Sequence, residues 1–447
     1  MSKHFLQDQY IGVMSSDRAR EETAYTLGVQ AYLWGFPLCM FETTIRTGIR
    51  SGAIGLNAFS RSSTLKTEKD RFIPMPNDVT IEAYGAYDIS REPVVLSVPY
   101  LMERRWYIVQ MANAFDDVFA DIGGARGGQP GAYAIVGSDF DGPIPDDIQL
   151  CRSDTRQGIV ILRMLVNGPA DVAAAADALK GFTLTPLSTL TRRRPKGPVD
   201  GEGASRVAVF EPARELRGFA DLGRAMHRLL PASADRDDAF VAALSQIGLS
   251  AAHGFDASVL DEPSRQGLVR AARMGRQIVD DRLSGAGERV NGWHYHVAGG
   301  GAVRNFALRA ALAKDEPGVL LSQEILFPTT DVDDHGARLS GAHDYVLHFE
   351  KGQLPPVSGF WNLALYGEDH FFVGNELGRH SIGSTTEGLK TASDGSVTLS
   401  IQRSRPGDVS NWLPAPMGAF NLTLRLFGPG AAALNGAYRL PAVRRVQ

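Results

Sequence analysis

The sequence predicts a mainly β fold with an α insert: two antiparallel β-sandwich, jelly-roll-like domains with a helical segment between them. Three observations carry this. Short apolar runs bounded by Gly and Pro cluster between residues 75 and 166 and again after 319. Helical periodicity is confined to an N-terminal stretch and to a block over about 211–309. Within each β cluster helices are scarce, which argues for hairpin-linked antiparallel sheets over repeated strand–helix–strand units.

The elements follow in order. Residues 21–50 carry apolar side chains at Tyr25, Val29, Tyr32, Leu33 and Phe36, near a 3.6-residue period, and Pro37 is expected to kink or restart that helix. The runs 93–99, 106–111, 133–136 and 158–166 read as strands, and the Ala-rich stretch 169–181 reads as helix. Residues 191–203, rich in Gly and Pro, read as a linker. Leu216, Phe219, Leu222, Met226 and Leu229 have helical spacing, as do Leu268, Ala271, Ala272 and Ile278, with Pro231 and Pro263 as punctuation. The runs 345–349, 361–366, 396–401 and 420–427 return to strand patterning. The expected division is an N-terminal helical region (1–74), a first β-sandwich domain (75–205), a helical insert (206–318) and a C-terminal β-sandwich domain (319–447).

With 447 residues the chain can bury large cores without disulfides or metal staples. Its formal net charge of −4, from 46 basic and 50 acidic residues, marks no nucleic-acid or anionic-membrane partner. The short runs Arg192–Arg194 and Arg444-Arg445 read as solvated charge. Cys39 and Cys151 sit in apolar surroundings and read as core residues. The N-terminus lacks an apolar signal region, and no apolar run is long enough to span a bilayer. A cytoplasmic location is therefore expected, with a small-molecule substrate as partner and homo-oligomerisation left open.

Several motifs resemble a bacterial family that pairs domain of unknown function 1254 with domain of unknown function 1214. The first is suggested by Gly35-Phe36-Pro37, Pro76-Asn77-Asp78, the 93–99 run, Arg105-Trp106-Tyr107 with Gln110, and Tyr133–Gly137. The second is suggested by Gly352–Pro356, Phe360-Trp361, Tyr366, Arg379–Gly383, Asp394-Gly395-Ser396, and Asn411–Pro416 with Phe420. The resemblance covers nearly the whole chain. It implies two β-sandwich domains around a helical segment and supplies no reaction. The chain departs from the family pattern at Gly123–Gly128 and at Asn77–Thr80, which alters any pocket those positions line.

Standard nucleophile-elbow, zinc-protease, phosphate-loop and dinucleotide signatures are missing; Gly299-Gly300-Gly301 lacks the strand that a nucleotide loop needs. The leading polar set is Asn77, Asp78, Tyr84, Arg105, Tyr107, Gln110 and Arg126. Arg105 and Tyr107 lie two apart on one strand and share a face. A buried Arg needs a carboxylate, and Asp78 is the expected partner. Asp78, Arg105 and Tyr107 are thus candidate catalytic residues, and Asn77, Tyr84, Gln110 and Arg126 candidate substrate contacts; the alternative is a structural network. Trp293 and Trp412 are candidate substrate walls or core anchors. His294 and His296, spaced to share a strand face, are candidate ligands of a divalent metal, with a third from His343, His348, His370 or His380. Asp331, Asp333 and Asp334 read as a Ca²⁺ loop or an Asp-rich turn. The expected function is an intracellular enzyme acting on a small organic molecule by acid/base chemistry of hydrolase or lyase type, with its pocket between the first sandwich and the helical insert. A carbohydrate- or partner-binding protein and a His-ligated metalloenzyme are the alternatives.

Overall fold

The computed structural model describes residues 15–71, 74–101, 105–192, 214–283, 286–296, 304–315, 318 and 321–446. The readings of the N-terminal residues, of Arg193-Arg194, of the linker beyond Arg192 and of Gly299–Gly301 lie outside the described residues.

Helix α1 (Ser16–Ser51) starts where the Ser15 side chain accepts the Arg18 amide and ends at Gly52, whose φ of 78° suits a left-handed C-cap. It runs through Pro37 without the expected restart. The strands that follow are β1 (Thr80–Asp88), β2 (Val94–Val98), β3 (Tyr107–Asn113), β4 (Val118–Gly123), β5 (Gly131–Gly137), β6 (Ile148–Ser153) and β7 (Gln157–Leu165). Helix α2 (Val172–Lys180) and strand β8 (Thr183–Pro186) complete this unit. One sheet has the order β1-β7-β3-β4, and the other β8-β2-β5-β6. Their facing sides share one core that includes Ile81, Val109, Met111, Leu162 and Met164 from the first sheet and Val94, Leu96 and Ile135 from the second.

Helices α3 (Arg217–Leu229), α4 (Glu262–Asp281) and α5 (Phe306–Asp315) form the middle segment. Asp261 caps α4 through the Ser264 amide, and Pro263 sits in the first turn, where its missing N–H has no helical partner to lose. The helices of this segment do not stand apart from the N-terminal region. Ala31, Trp34 and Leu38 of α1 share a core with Phe219, Leu222 and Met226 of α3 and Leu268 of α4.

The last unit contains β9 (Trp293–Tyr295), β10 (Thr329–Thr330), β11 (Tyr345–Phe349), β12 (Trp361–Gly367), β13 (Ser381–Gly383), β14 (Val397–Gln402), β15 (Trp412–Pro414) and β16 (Phe420–Phe427). One sheet runs β9-β10-β16-β12-β13 and the other β15-β14-β11, with Leu347, Leu363, Leu399 and Leu424 in the core between them. Strand β9, inside the span read as helical insert, pairs with β10 and so joins the C-terminal sheet.

Two expectations need correction. The chain is mixed, with 31% helix and 28% strand, and is not mainly β. The sheets are not wholly antiparallel either: β5–β6, β14–β15 and Gly55–Leu56 with β1 pair in parallel. The connection from β5 to β6, with prolines at 143 and 145, is too long for a hairpin and lets the chain re-enter in the same direction. Among the described residues no helix is long and apolar enough to cross a membrane.

Candidate functional site

Alternation along the strands divides the first sheet into two faces. One face enters the core. The other carries Glu82 and Tyr84 on β1, Arg163 on β7, Gln110 on β3 and Asp121 on β4. Register places Glu82 opposite Arg163 and Gln110 opposite Asp121, so these groups lie in adjacent rows. At one end of this face α1 covers Ala86 and Ile159 with Ile45 and Ile49. At the other end Leu165 meets Phe360 and Phe427 of the last unit. The charged rows lie between.

The contacts there form a chain. The Tyr84 hydroxyl donates to the Glu82 carboxylate. Glu82 lies 3.7 Å from Arg163 Nε. Arg163 donates to Gln110 Oε1 at 3.0 Å and to the Gly318 carbonyl at 3.2 Å. The Gly318 amide in turn donates to both Asp116 oxygens, at 3.0 and 3.2 Å. Burial raises Asp116 from 3.8 to about 7; the Gly318 hydrogen bond opposes the shift, and the neighbouring Asp117 adds to it. Burial and Glu82 hold the Tyr84 hydroxyl protonated, well above its usual range. Arg309 from α5 completes the edge: it lies 3.4 Å from Asp117 and 4.6 Å from the Phe115 ring centroid.

Asn77 and Asp78 lie elsewhere, at the contact with the last unit. The Ser381 hydroxyl donates to Asp78 Oδ1 at 2.5 Å. Burial raises the Asp78 carboxyl, and Ser381, His380 and Arg425 oppose that shift. Asn77 accepts from Asn362 Nδ2 at 3.5 Å and donates to Thr80 Oγ1 at 3.0 Å. Arg425 donates to the Met75 carbonyl and Tyr366 to the Pro76 carbonyl, each at 2.6 Å. The motifs Pro76-Asn77-Asp78 and His380-Ser381, far apart in sequence, therefore meet.

The remaining candidates are placed as follows. The carboxylate that pairs with Arg105 is Asp171, not Asp78: Nη2 donates to it at 2.6 Å. Asp171 lies beside the start of α2, so this pair ties that helix to the strand edge. Tyr107 is a core residue, packed edge-on against Phe182 at 5.0 Å. Its hydroxyl fills the space where a side chain on Gly128 would fall. Gln110 and Tyr84 share the charged face, where they meet Arg163 and Glu82. The side chain of Arg126 lies outside the described residues.

Trp293 and Trp412 are buried, and their indole N–H groups donate to Pro441 and Gln402 carbonyls, each at 2.8 Å. They anchor the last unit and are not substrate walls. His294 and His296 do lie close, with ring centroids 4.6 Å apart and the rings tilted. However, Nε2 of His294 faces the Ala286 carbonyl, and Nε2 of His296 lies 3.0 Å from Thr329 Oγ1. Among the described residues no set of three His, Cys, Asp or Glu side chains gathers to hold a metal. Asp333 accepts the amides of His335 and Ala337 at 3.0 and 2.9 Å, which is the Asp-rich turn.

Sequence reasoning missed Glu82, Arg163, Asp116, Asn362 and Arg425. The available signal was a lone charge inside an apolar strand. Arg163 stands in the 158–166 run and Arg425 in the 420–427 run, and a charge placed there must face a polar partner.

The chain is similar over 95% of its length to the whole of the VPA0106 protein from Vibrio parahaemolyticus, with a TM-score of 0.75 at 21% identity. A protein from Burkholderia cenocepacia aligns at TM-score 0.47 and 12% identity over 96% of each chain. The first likeness shows the fold alone. No curated protein matches the chain. Residues 56–186 match the model described as "Protein of unknown function (DUF1254)" and residues 324–431 the one described as "Protein of unknown function (DUF1214)". The chain belongs to the family in which a DUF1254 domain is followed by a DUF1214 domain.

Proposed function

We propose that the chain is an enzyme that acts on a small organic molecule by acid/base chemistry of hydrolase or lyase type, at the contact between the first sheet and the helical layer. In this reading each β unit is a jelly-roll-like sandwich that serves as scaffold. The setting is cytoplasmic, in keeping with the unpaired Cys39 and Cys151. One observation carries the proposal: Asp116, a half-buried carboxyl raised to about 7, shares Gly318 with Arg163 of the polar chain.

A base that titrates near the working pH can both take and return a proton. Asp116 has that role. Tyr84, kept protonated beside Glu82, is the donor. The Arg163 guanidinium fixes an anionic or carbonyl oxygen of the substrate. Perturbed groups of this kind concentrate at functional sites.

The test is a thermal-shift screen of small esters, amides, lactones and polyols, with turnover followed by NMR. Asp116→Asn and Tyr84→Phe keep volume and are expected to lower kcat by roughly 100-fold or more while the protein stays folded. Equal turnover in wild type and both variants, or no substrate anywhere in the panel, overturns the reading.

A further inference from the structure

The outer face of the last unit's sheet carries polar atoms that the proposed acid/base centre does not use. Register sets them in two adjacent rows. Ser381, Ala364 and Thr423 form one row; Gly383, Asn362 and Arg425 form the next. Rows are about 7 Å apart and neighbouring strands about 5 Å apart, so one small molecule can touch both rows. The segment Met75–Thr80 lies over them, held by Arg425, Tyr366 and Ser381.

Asn362 Oδ1, His380 Nδ1, Thr423 Oγ1 and Arg425 Nη1 have no hydrogen-bond partner among the described residues. These side chains are all more than nine-tenths buried: Asn362 and Thr423 are 0% exposed, His380 4% and Arg425 7%. Buried polar atoms are nearly always paired, because an unpaired one forfeits its hydration. Three of them lie on one sheet face, and His380, just before β13, stacks on Phe372 beside Tyr366 of that face. Each side chain with a second polar atom anchors it: Arg425 Nη2 on Met75, Asn362 Nδ2 on Asn77, and His380 Nε2 3.4 Å from Glu68. Nε2 of His380 thus faces Glu68, and Nδ1 is the ring nitrogen left open.

The open valences are therefore a cationic donor on Arg425, a hydroxyl on Thr423, an amide oxygen on Asn362 and a ring nitrogen on His380. A carboxylate suits the first two, and a hydroxyl, which both donates and accepts, suits the other two.

We propose that this junction is a binding site for a small hydroxycarboxylate, seated between the Met75–Thr80 segment and the β12–β16 face. Arg425 and Thr423 hold the carboxylate, and Asn362 and His380 receive the hydroxyl. The proposal stands apart from the Asp116 centre, whose variants leave it untouched.

The experiment is calorimetric titration of the full chain with glycolate, lactate, malate and citrate, with acetate as the hydroxyl-free control. Thr423→Val and Asn362→Leu are the variants. At least one hydroxy acid is expected to bind, acetate at least about tenfold more weakly, and each variant at least about tenfold more weakly than wild type. Thr423→Val removes an unpaired hydroxyl, so its ligand-free melting temperature is expected to hold or rise. Retained melting temperature with lost binding separates a ligand role from a structural one. Three outcomes overturn the proposal: no hydroxy acid binds, acetate binds as well as glycolate, or both variants bind as wild type does. Should Asn362→Leu fail to fold, Thr423→Val alone decides.

Discussion

Asp116 accepts the Gly318 amide with both oxygens and still binds its proton more tightly than an ordinary carboxyl, because burial outweighs that hydrogen bond. This has a consequence for stability. Below the ordinary value of 3.8 the group is protonated in both folded and unfolded chains and contributes nothing. Between 3.8 and about 7 the folded chain holds the proton and the unfolded chain does not, so stability falls as pH rises through that window. Above it both states are ionised and the loss is complete. Asp116→Asn removes this slope. Urea unfolding at pH 5 and pH 8 is expected to show a wild-type loss that the variant lacks in large part. Equal losses would sink the assignment. Asp78 is raised in the same direction and adds to the wild-type slope, so Asp78→Asn is the matched control. Arg105 shows the limit of reading residues from sequence. That it needs a carboxylate was legible, but Asp171, 66 residues away, was not distinguishable from Asp78 without the fold.

The closest approaches between α1 and the helical layer fall at glycines. A Cβ on Gly267 of α4 would stand 2.3 Å from the Glu21 carbonyl oxygen, and one on Gly35 of α1 would stand 2.1 Å from a Leu222 methyl. The backbone contact cannot relax by rotating a side chain. Gly267→Ala is therefore expected to cost about 1–3 kcal/mol. Gly218 in α3 is the control: a Cβ there meets only Tyr32, at 3.8 Å. Gly218→Ala is expected to be neutral or to stabilise by about 0.5 kcal/mol, through helix propensity alone. Urea midpoints check both, and a Gly267→Ala protein as stable as wild type would refute the close joint. At this scale much was legible. The 93–99, 106–111, 158–166, 345–349, 361–366 and 420–427 runs are strands, because continuous apolar or alternating patterns have few other uses in a packed sheet. Strands β1, β4 and β6 escaped notice: they mix charged and small residues, since one face of each meets polar neighbours or solvent. Pro37 misled for a related reason, because local propensity yields to a helix buried along its length.

Across the whole molecule, two family domains lie far apart in sequence yet share a contact. Its polar part joins Asp78 to Ser381 and Arg425 to Met75, and was hinted at only by motifs whose meeting no pattern in the chain announces. Its apolar part is Trp106, next to β3, packed edge-on against Phe360 at 5.1 Å and Phe427 at 5.2 Å, with those two rings stacked at 4.1 Å. Leu165, Val79 and Ile325 surround this cluster. Edge-on aromatic pairs add roughly 0.5–1.5 kcal/mol beyond the area they bury. Such a contact couples the unfolding of the two units: neither can open without exposing the rings of the other. The intact chain is expected to melt in a single calorimetric transition. Trp106→Ala removes the ring that spans the contact and is expected to cost about 3–5 kcal/mol, most of it as lost coupling, so that the transition splits or broadens into two. Arg105 beside it keeps its Asp171 partner, so the first unit's own fold gives no reason for a uniform loss. One sharp transition in the variant, merely shifted down, would mean that the units are coupled chiefly through the helical layer. Then Gly267→Ala, not Trp106→Ala, should be the substitution that separates them.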